Sequence, residues 1–320
     1  MLAYFSSLNP TALMNSCPGG IAQGLIWGIM ALGVYLTFRM LDVADLTVDG
    51  SLATGGAVCI MLVLNGWDPQ LALFVSFIAG LLAGLVTGLL HTLLGIPDIL
   101  AGILTQISLY SINLNIMGRA NQAVNINRVT FYFTSNIKVL PRTILLVGIV
   151  CVVLIAALYW YLGTEHGSAL RATGINANMA RAQGINTNLM KVIGLSLSNG
   201  LVALCGGVLS QYQGFADINM GRGAIVIGLA AVIIGEVLGN AFLGKHLTFW
   251  MRLAFVVVGS IVYYLVYVFV LWLKFPADDM KLLTAVVVAI FLAIPYLSAK
   301  SKSSFSHLAK QNAKSAKEAK

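Results

Sequence analysis

Apolar residues run through this chain in blocks of about membrane length, separated by short polar stretches. Taking about 20 residues as one crossing, nine blocks stand out: 19–38, 49–65, 70–94, 97–117, 142–163, 188–211, 223–243, 246–273 and 280–298. The second and seventh are short or rich in glycine, which leaves them open to being broken or re-entrant and the crossing count between eight and ten. The expected fold is an all-α polytopic membrane protein of about nine helices. Its membrane domain is 19–298, preceded by an N-terminal segment, 1–18, and followed by a basic tail, 299–320. Residues 1–18 hold Pro10 and Pro18 and no basic start, so they do not read as a cleaved signal. An interfacial helix or a disordered end are the readings left for them.

Two polar interruptions are long. In 118–141 the run Val129-Thr130-Phe131-Tyr132-Phe133-Thr134 alternates and predicts a short strand, either a docking surface or a lid. The other, 164–186, is polar, rich in small residues and helix-forming. Asn176 is a candidate N-cap and Gly184 a left-handed stop, which frames about two turns of helix between them. Met179 and the alanines give that helix a small apolar face. So short a helix is not stable alone and must lie against its own membrane domain or a partner.

Composition confirms the membrane reading. The chain of 320 residues is 59% hydrophobic and 9% charged, with a mean hydropathy of +0.89, whereas a soluble domain carries about 25% charged residues. The net charge of +8 is concentrated in a tail with six lysines from Lys300 to Lys320. Directly after a span, such a tail reads as a cytoplasmic anchor near anionic lipid and not as a nucleic-acid site. With the tail inside, Arg39, Arg171, Arg181, Lys191, Lys245 and Arg252 are inside too, and the N-terminus is outside. Cys17, Cys59, Cys151 and Cys205 have no metal or redox spacing. Glycines recur every fourth residue at Gly20, Gly24 and Gly28, at Gly80, Gly84 and Gly88, and at Gly235 and Gly239, giving stripes for close helix packing.

Catalytic chemistry is not legible. His91, His166, His246 and His307 are scattered, and neither HExxH nor GxSxG occurs. The run 239–246 ends Gly244-Lys245-His246, one residue short of a phosphate-binding loop, with His246 where a hydroxyl is required. No cofactor is expected on this chain, so ATP, if used, is hydrolysed by another subunit. Charges inside spans are costly and raise functional suspicion. Glu236 is the clearest, with no basic neighbour nearby in sequence; a path or gate role and a buried hydrogen bond to a neighbouring helix both fit it. Asp42, Asp45 and Asp49 are spaced three and four apart, as on one helix face. Gln106 and Asn113 share a face of the fourth span, and Asn199 lies in the sixth. These amides either line a path for an uncharged or zwitterionic solute or bond between helices.

Three stretches carry a resemblance. The run Gly167-Ser168-Ala169-Leu170-Arg171-Ala172-Thr173-Gly174-Ile175-Asn176, with Ala180 and Gly184-Ile185, resembles the cytoplasmic coupling segment of ABC-importer permeases of the branched-chain amino acid type; ribose-type sugar permeases carry a similar pattern. Leu41 to Ser51 is similar to the region joining the first two helices in that family, and the glycine-rich run at 223–244 to another, from which this chain departs by carrying Glu236. The resemblance extends over about 20–297. Through 33–39 and 46–51 it is nearest to single-permease systems for aromatic or other amino acids.

It implies a multi-pass permease of the bacterial cytoplasmic membrane, paired with a second permease protomer, identical or not. ATPase subunits and an extracytoplasmic binding protein would complete the importer, and an amino acid would be its solute. Gly167, Leu170, Arg171, Gly174, Asn176, Ala180, Arg181 and Gly184 are then the residues coupled to the ATPase, and Asp45, Asp49, Gln106, Asn113, Asn199 and Glu236 the candidates for the path or its gate. The alternative is an ion-coupled secondary transporter or channel, which needs an ion site at midplane.

Overall fold

The computed structural model describes residues 10–124, 131, 133–135, 139–244 and 247–273, with five isolated positions between 282 and 293. The ninth expected span and the basic tail lie almost wholly outside the described residues.

Eight of the described helices are long and apolar enough to cross a membrane. They are α1 (Pro10–Tyr35), continued by a π turn (Leu36–Met40), α2 (Thr47–Leu64), α3 (Pro69–Thr92), α4 (Asp98–Met117), α5 (Leu140–Gly163), α8 (Thr187–Gln213), α9 (Ala224–Leu243) and α10 (Phe249–Trp272). Between α5 and α8 come two short helices, α6 (Glu165–Ile175) and α7 (Ala177–Ala182). Two three-residue strands, β1 (Asn121–Ala123) and β2 (Phe215–Asp217), pair antiparallel across the end of the bundle where α4 and α8 finish.

The membrane-length helices fall into an inner and an outer set. Over their apolar windows α1, α2 and α8 are 78%, 72% and 72% buried, against 28% and 22% for α4 and α5. The inner three are wrapped on all sides and present small residues to their neighbours; the outer ones turn leucine, isoleucine and valine outward. Glycine decides how closely the inner helices approach. A methyl group at Gly80 or Gly84 of α3 would overlap the α8 backbone at Asn199 or Leu195, and one at Gly55 or Gly206 would drive α2 into α8. Gly24 meets Ile261 of α10, and Gly235 of α9 meets Phe255 of α10, in the same way.

The structure corrects the sequence reading in several places. The first helix starts at Pro10, so Pro18 lies inside it. The second and seventh spans are continuous helices of 18 and 20 residues, not broken ones. The irregular backbone lies just before each of them: 41–46 is non-helical and 218–223 is a series of turns. Asp42, Asp45 and Asp49 therefore do not share a helix face. Asp42 has a positive φ of 55° and faces water, Asp45 is buried in the non-helical stretch, and only Asp49 is helical. The alternating run 129–134 lies in part outside the described residues; Phe131 and Phe133 are buried in the core.

Candidate translocation path and coupling segment

A cavity of about 310 Å³ opens between α2, α4 and the turns leading into α9. Asp49, Gln106, Tyr110, Asn113 and Arg222 are among its walls, and its size is at the low end of the ~300–1,000 Å³ of small-molecule sites. Gly50 sits against Gln106 and Leu109, midway along α4, so the first turn of α2 begins well inside the bundle. Gly221 packs on the Asp49 carbonyl, which brings the start of α9 to the same level.

Asp49 joins the two helix starts. Its carboxylate accepts the backbone N–H of Gly223 at 2.9 Å and of Ile225 at 3.0 Å, capping α9 from a different helix. Asn113 faces the cavity with 1% of its surface exposed, and neither its amide oxygen nor its amide nitrogen has a hydrogen-bond partner. Buried polar groups in folded proteins are nearly always paired, so the Asn113 amide beside this polar cavity is a candidate to bind a molecule entering it.

Asp45 and Asn199 belong to a different constellation. The Asn199 amide donates to Asp45 at 2.6 Å and to the Leu195 carbonyl at 2.9 Å, while Ser51 donates to the Asn199 oxygen at 2.6 Å. The Thr47 N–H donates to Asp45 at 2.9 Å. The Thr47 hydroxyl is 2.8 Å from that of Thr87, which donates to Thr105 at 2.9 Å. This buried ladder fastens α2, α3, α4 and α8 together; its members satisfy one another and leave little for a solute.

Glu236 has the distant partner that its own segment lacked. Its carboxylate is 2.8 Å from Arg39 Nε of the π turn, an ion pair without hydrogen-bond alignment, with the side chains 24% and 52% exposed. Of the six path candidates, three (Asp49, Gln106 and Asn113) thus line one cavity, two hold helices together and one forms the ion pair. Tyr110 and Arg222 also line the cavity; no spacing in the sequence pointed to them.

On the coupling segment, Thr164 caps α6 by accepting the Gly167 N–H at 3.3 Å, and Asn176 caps α7 by accepting the N–H groups of Asn178 and Met179 at 3.1 and 3.0 Å. Gly184 closes α7 with φ of 82°. The segment is seated through its small residues: a methyl at Gly167 would strike the end of α5, and one at Gly174 the Met40 carbonyl of the π turn. Leu170 and Ala180, expected among the coupling residues, are buried at 0% and 4% exposure, so they hold the segment to the membrane domain and present nothing outward. Arg181 donates to Thr187 at 2.8 Å, and Arg171 lies over the Phe249 ring, so neither guanidinium points away from the chain. Among the exposed Asn176, Asn178, Arg181 and Gln183, two apolar side chains project: Ile175 is 87% exposed and Met179 65%.

The model of the family described as branched-chain amino acid transport system / permease component matches residues 18–295. The chain belongs to that permease family. A tyrosine transport system permease protein of Clostridioides difficile is 38% identical over 274 residues, 85% of this chain and 89% of that one. An uncharacterized protein of Rickettsia prowazekii, RP368, is 34% identical over 70% of this chain and 78% of its own length. The autoinducer 2 import system permease protein LsrC of Escherichia coli is 28% identical over 72% of this chain and 66% of its own length.

Proposed function

We propose that this permease is the membrane subunit of an ABC importer in a bacterial cytoplasmic membrane, where it carries a small solute, an amino acid, inward. ATP is hydrolysed on separate ATPase subunits, a second permease protomer completes the membrane unit, and an extracytoplasmic binding protein delivers the solute. The C-terminal tail and the α6–α7 segment lie in the cytoplasm and the N-terminus outside. Family membership supports the importer class, and the tyrosine and autoinducer 2 relatives support a small organic solute.

The observation that carries the reading is the α6–α7 tip. Ile175 and Met179 stand exposed on a polar segment beyond the end of α5, while Leu170, Gly174 and Ala180 pin that segment from behind. Exposed apolar side chains rimmed by polar residues, on a firmly seated support, fit a groove in a partner protein. The test is cross-linking from Ile175→Cys or Met179→Cys to the ATPase subunit in an actively transporting complex. Cross-links at both positions, with none from Leu170→Cys, are expected. Absence of any cross-link while uptake continues removes the coupling role. The rival, ion-driven transport, predicts uptake that persists without ATP and stops with a protonophore.

A further inference from the structure

A second polar cavity, about 470 Å³, opens where α5 ends and α10 begins. Tyr159, Trp160, Gly163, Thr164, Arg171 and Phe249 line it. Both helix ends are ends of membrane-length apolar helices, so the cavity sits at the level where lipid headgroups lie. Trp160 is 74% and Tyr159 51% exposed, the outward-facing aromatic arrangement of a membrane–water boundary. Tyr159 stacks on Phe249 with ring centroids 6.4 Å apart and so closes one wall.

Arg171 is the charged group of this cavity. Its guanidinium lies 5.8 Å from the Phe249 ring centroid and donates through one Nη to Ser168 at 3.2 Å, while Nε is shut away from water with no acceptor. Among the described residues the one ion pair is Arg39 with Glu236, so no described carboxylate pairs with Arg171. Arg252 lies one turn beyond Phe249 on α10 and adds a second positive charge to the same end of the bundle. A cation held against aromatic walls at headgroup depth, with hydrogen bonds still to give, suits a phosphodiester whose acyl chains run along α5 and α10.

We propose that this cavity is a binding site for the headgroup of an anionic phospholipid, with Arg171 as the residue that selects the negative charge. A soluble anion would gain the charge contact but nothing from the exposed apolar faces of Tyr159 and Trp160. A lipid gains both.

The experiment is native mass spectrometry of the full-length chain purified in detergent and supplied with phosphatidylglycerol, phosphatidylcholine of the same acyl chains, or inorganic phosphate alone. The wild type is expected to retain a phosphatidylglycerol that phosphatidylcholine and phosphate do not displace. Arg171→Gln is expected to weaken that retention about five-fold or more. Gly163→Trp gives an independent check, since a side chain at Gly163 meets nothing within 4 Å and projects into open space; it should block the site while leaving Arg171 in place. Equal retention of both lipids, displacement by phosphate, or unchanged retention in both variants overturns the proposal. So does an Arg171→Gln chain that keeps its lipid but loses the Met179→Cys cross-link, which would assign Arg171 to the partner protein.

Discussion

Substituting Asp49 separates two roles that its position allows. As the cap of α9 it accepts two backbone N–H groups, from Gly223 and Ile225. A side-chain N-cap is worth ~1 kcal/mol, and a negative charge at a helix N-terminus adds ~0.3–1 kcal/mol, rising to ~2 kcal/mol when partly buried. Asp49 is half-buried, so Asp49→Ala should cost about 2–3 kcal/mol. Asp49→Asn keeps an acceptor for the same N–H groups and loses only the charge, so about 1 kcal/mol is expected. The assay is unfolding of the purified chain in mixed micelles against increasing denaturing detergent, with uptake into proteoliposomes measured in parallel on the assembled transporter. The cap argument predicts wild type, Asn and Ala in descending order of stability, with uptake falling in the same order. An Asn variant as unstable as Ala, or an Ala variant as stable as wild type, refutes it. An Asn variant of normal stability and no uptake would mean that the carboxylate acts on the solute and not on the helix.

Asn113→Leu removes an amide with no partner, so stability should hold or rise by up to ~1–3 kcal/mol while uptake falls several-fold; marked destabilisation in the same unfolding assay would show that the amide is bonded in the membrane. Gly84→Leu forces a side chain into the Leu195 carbonyl and should lower stability by ~1–3 kcal/mol or block assembly, read by unfolding and by size-exclusion chromatography. Glu236→Gln should keep most ATP-driven uptake, because its partner Arg39 is 52% exposed and water can replace the carboxylate at a cost of about 0–1 kcal/mol. Uptake into ATP-loaded vesicles should also survive a protonophore; collapse with the proton gradient at constant ATP would point to Glu236 as an ion-coupling site.

What could be read from the sequence was local. Apolar runs located the eight described spans to within three residues at every end but the start of the first, because hydropathy and length decide a crossing. Asn176 and Gly184 were legible because a cap and a left-handed stop depend on neighbours a few residues away. The glycine stripes showed that close approaches exist, not which helices make them. Contacts between distant segments left no trace: Asp49 and Gly223 are 174 residues apart, and Arg39 and Glu236 are 197 apart. The split of the expected α7 apolar face, with Ala180 inward and Met179 outward, was equally hidden, since a six-residue helix has too few positions to fix which side is covered.

The failure of the helical reading at Asp42–Asp49 has a geometric cause. The stretch after α1 is fastened to α9 at two points, by Arg39 to Glu236 and by Asp49 to the first turn. Within the linker, Leu41 and Leu46 keep helical backbone angles while Asp42 is left-handed, so the chain turns and does not run on as one helix. The positive φ of Asp42 makes the corner, and the bond from the Val43 N–H to the Thr37 carbonyl at 3.1 Å holds it. A spacing of three and four in the sequence was therefore overruled by the corner at Asp42. Gly174 of α6 rests on the carbonyl of Met40, at the foot of this linker. On the proposed coupling role, a push on the exposed Ile175 and Met179 would meet the π turn first, and the linker 41–46 leads from there to Asp49 and the polar cavity. Contacts on this route are the α6 backbone on the π turn at Gly174 and the Asp49 carboxylate on the first turn of α9.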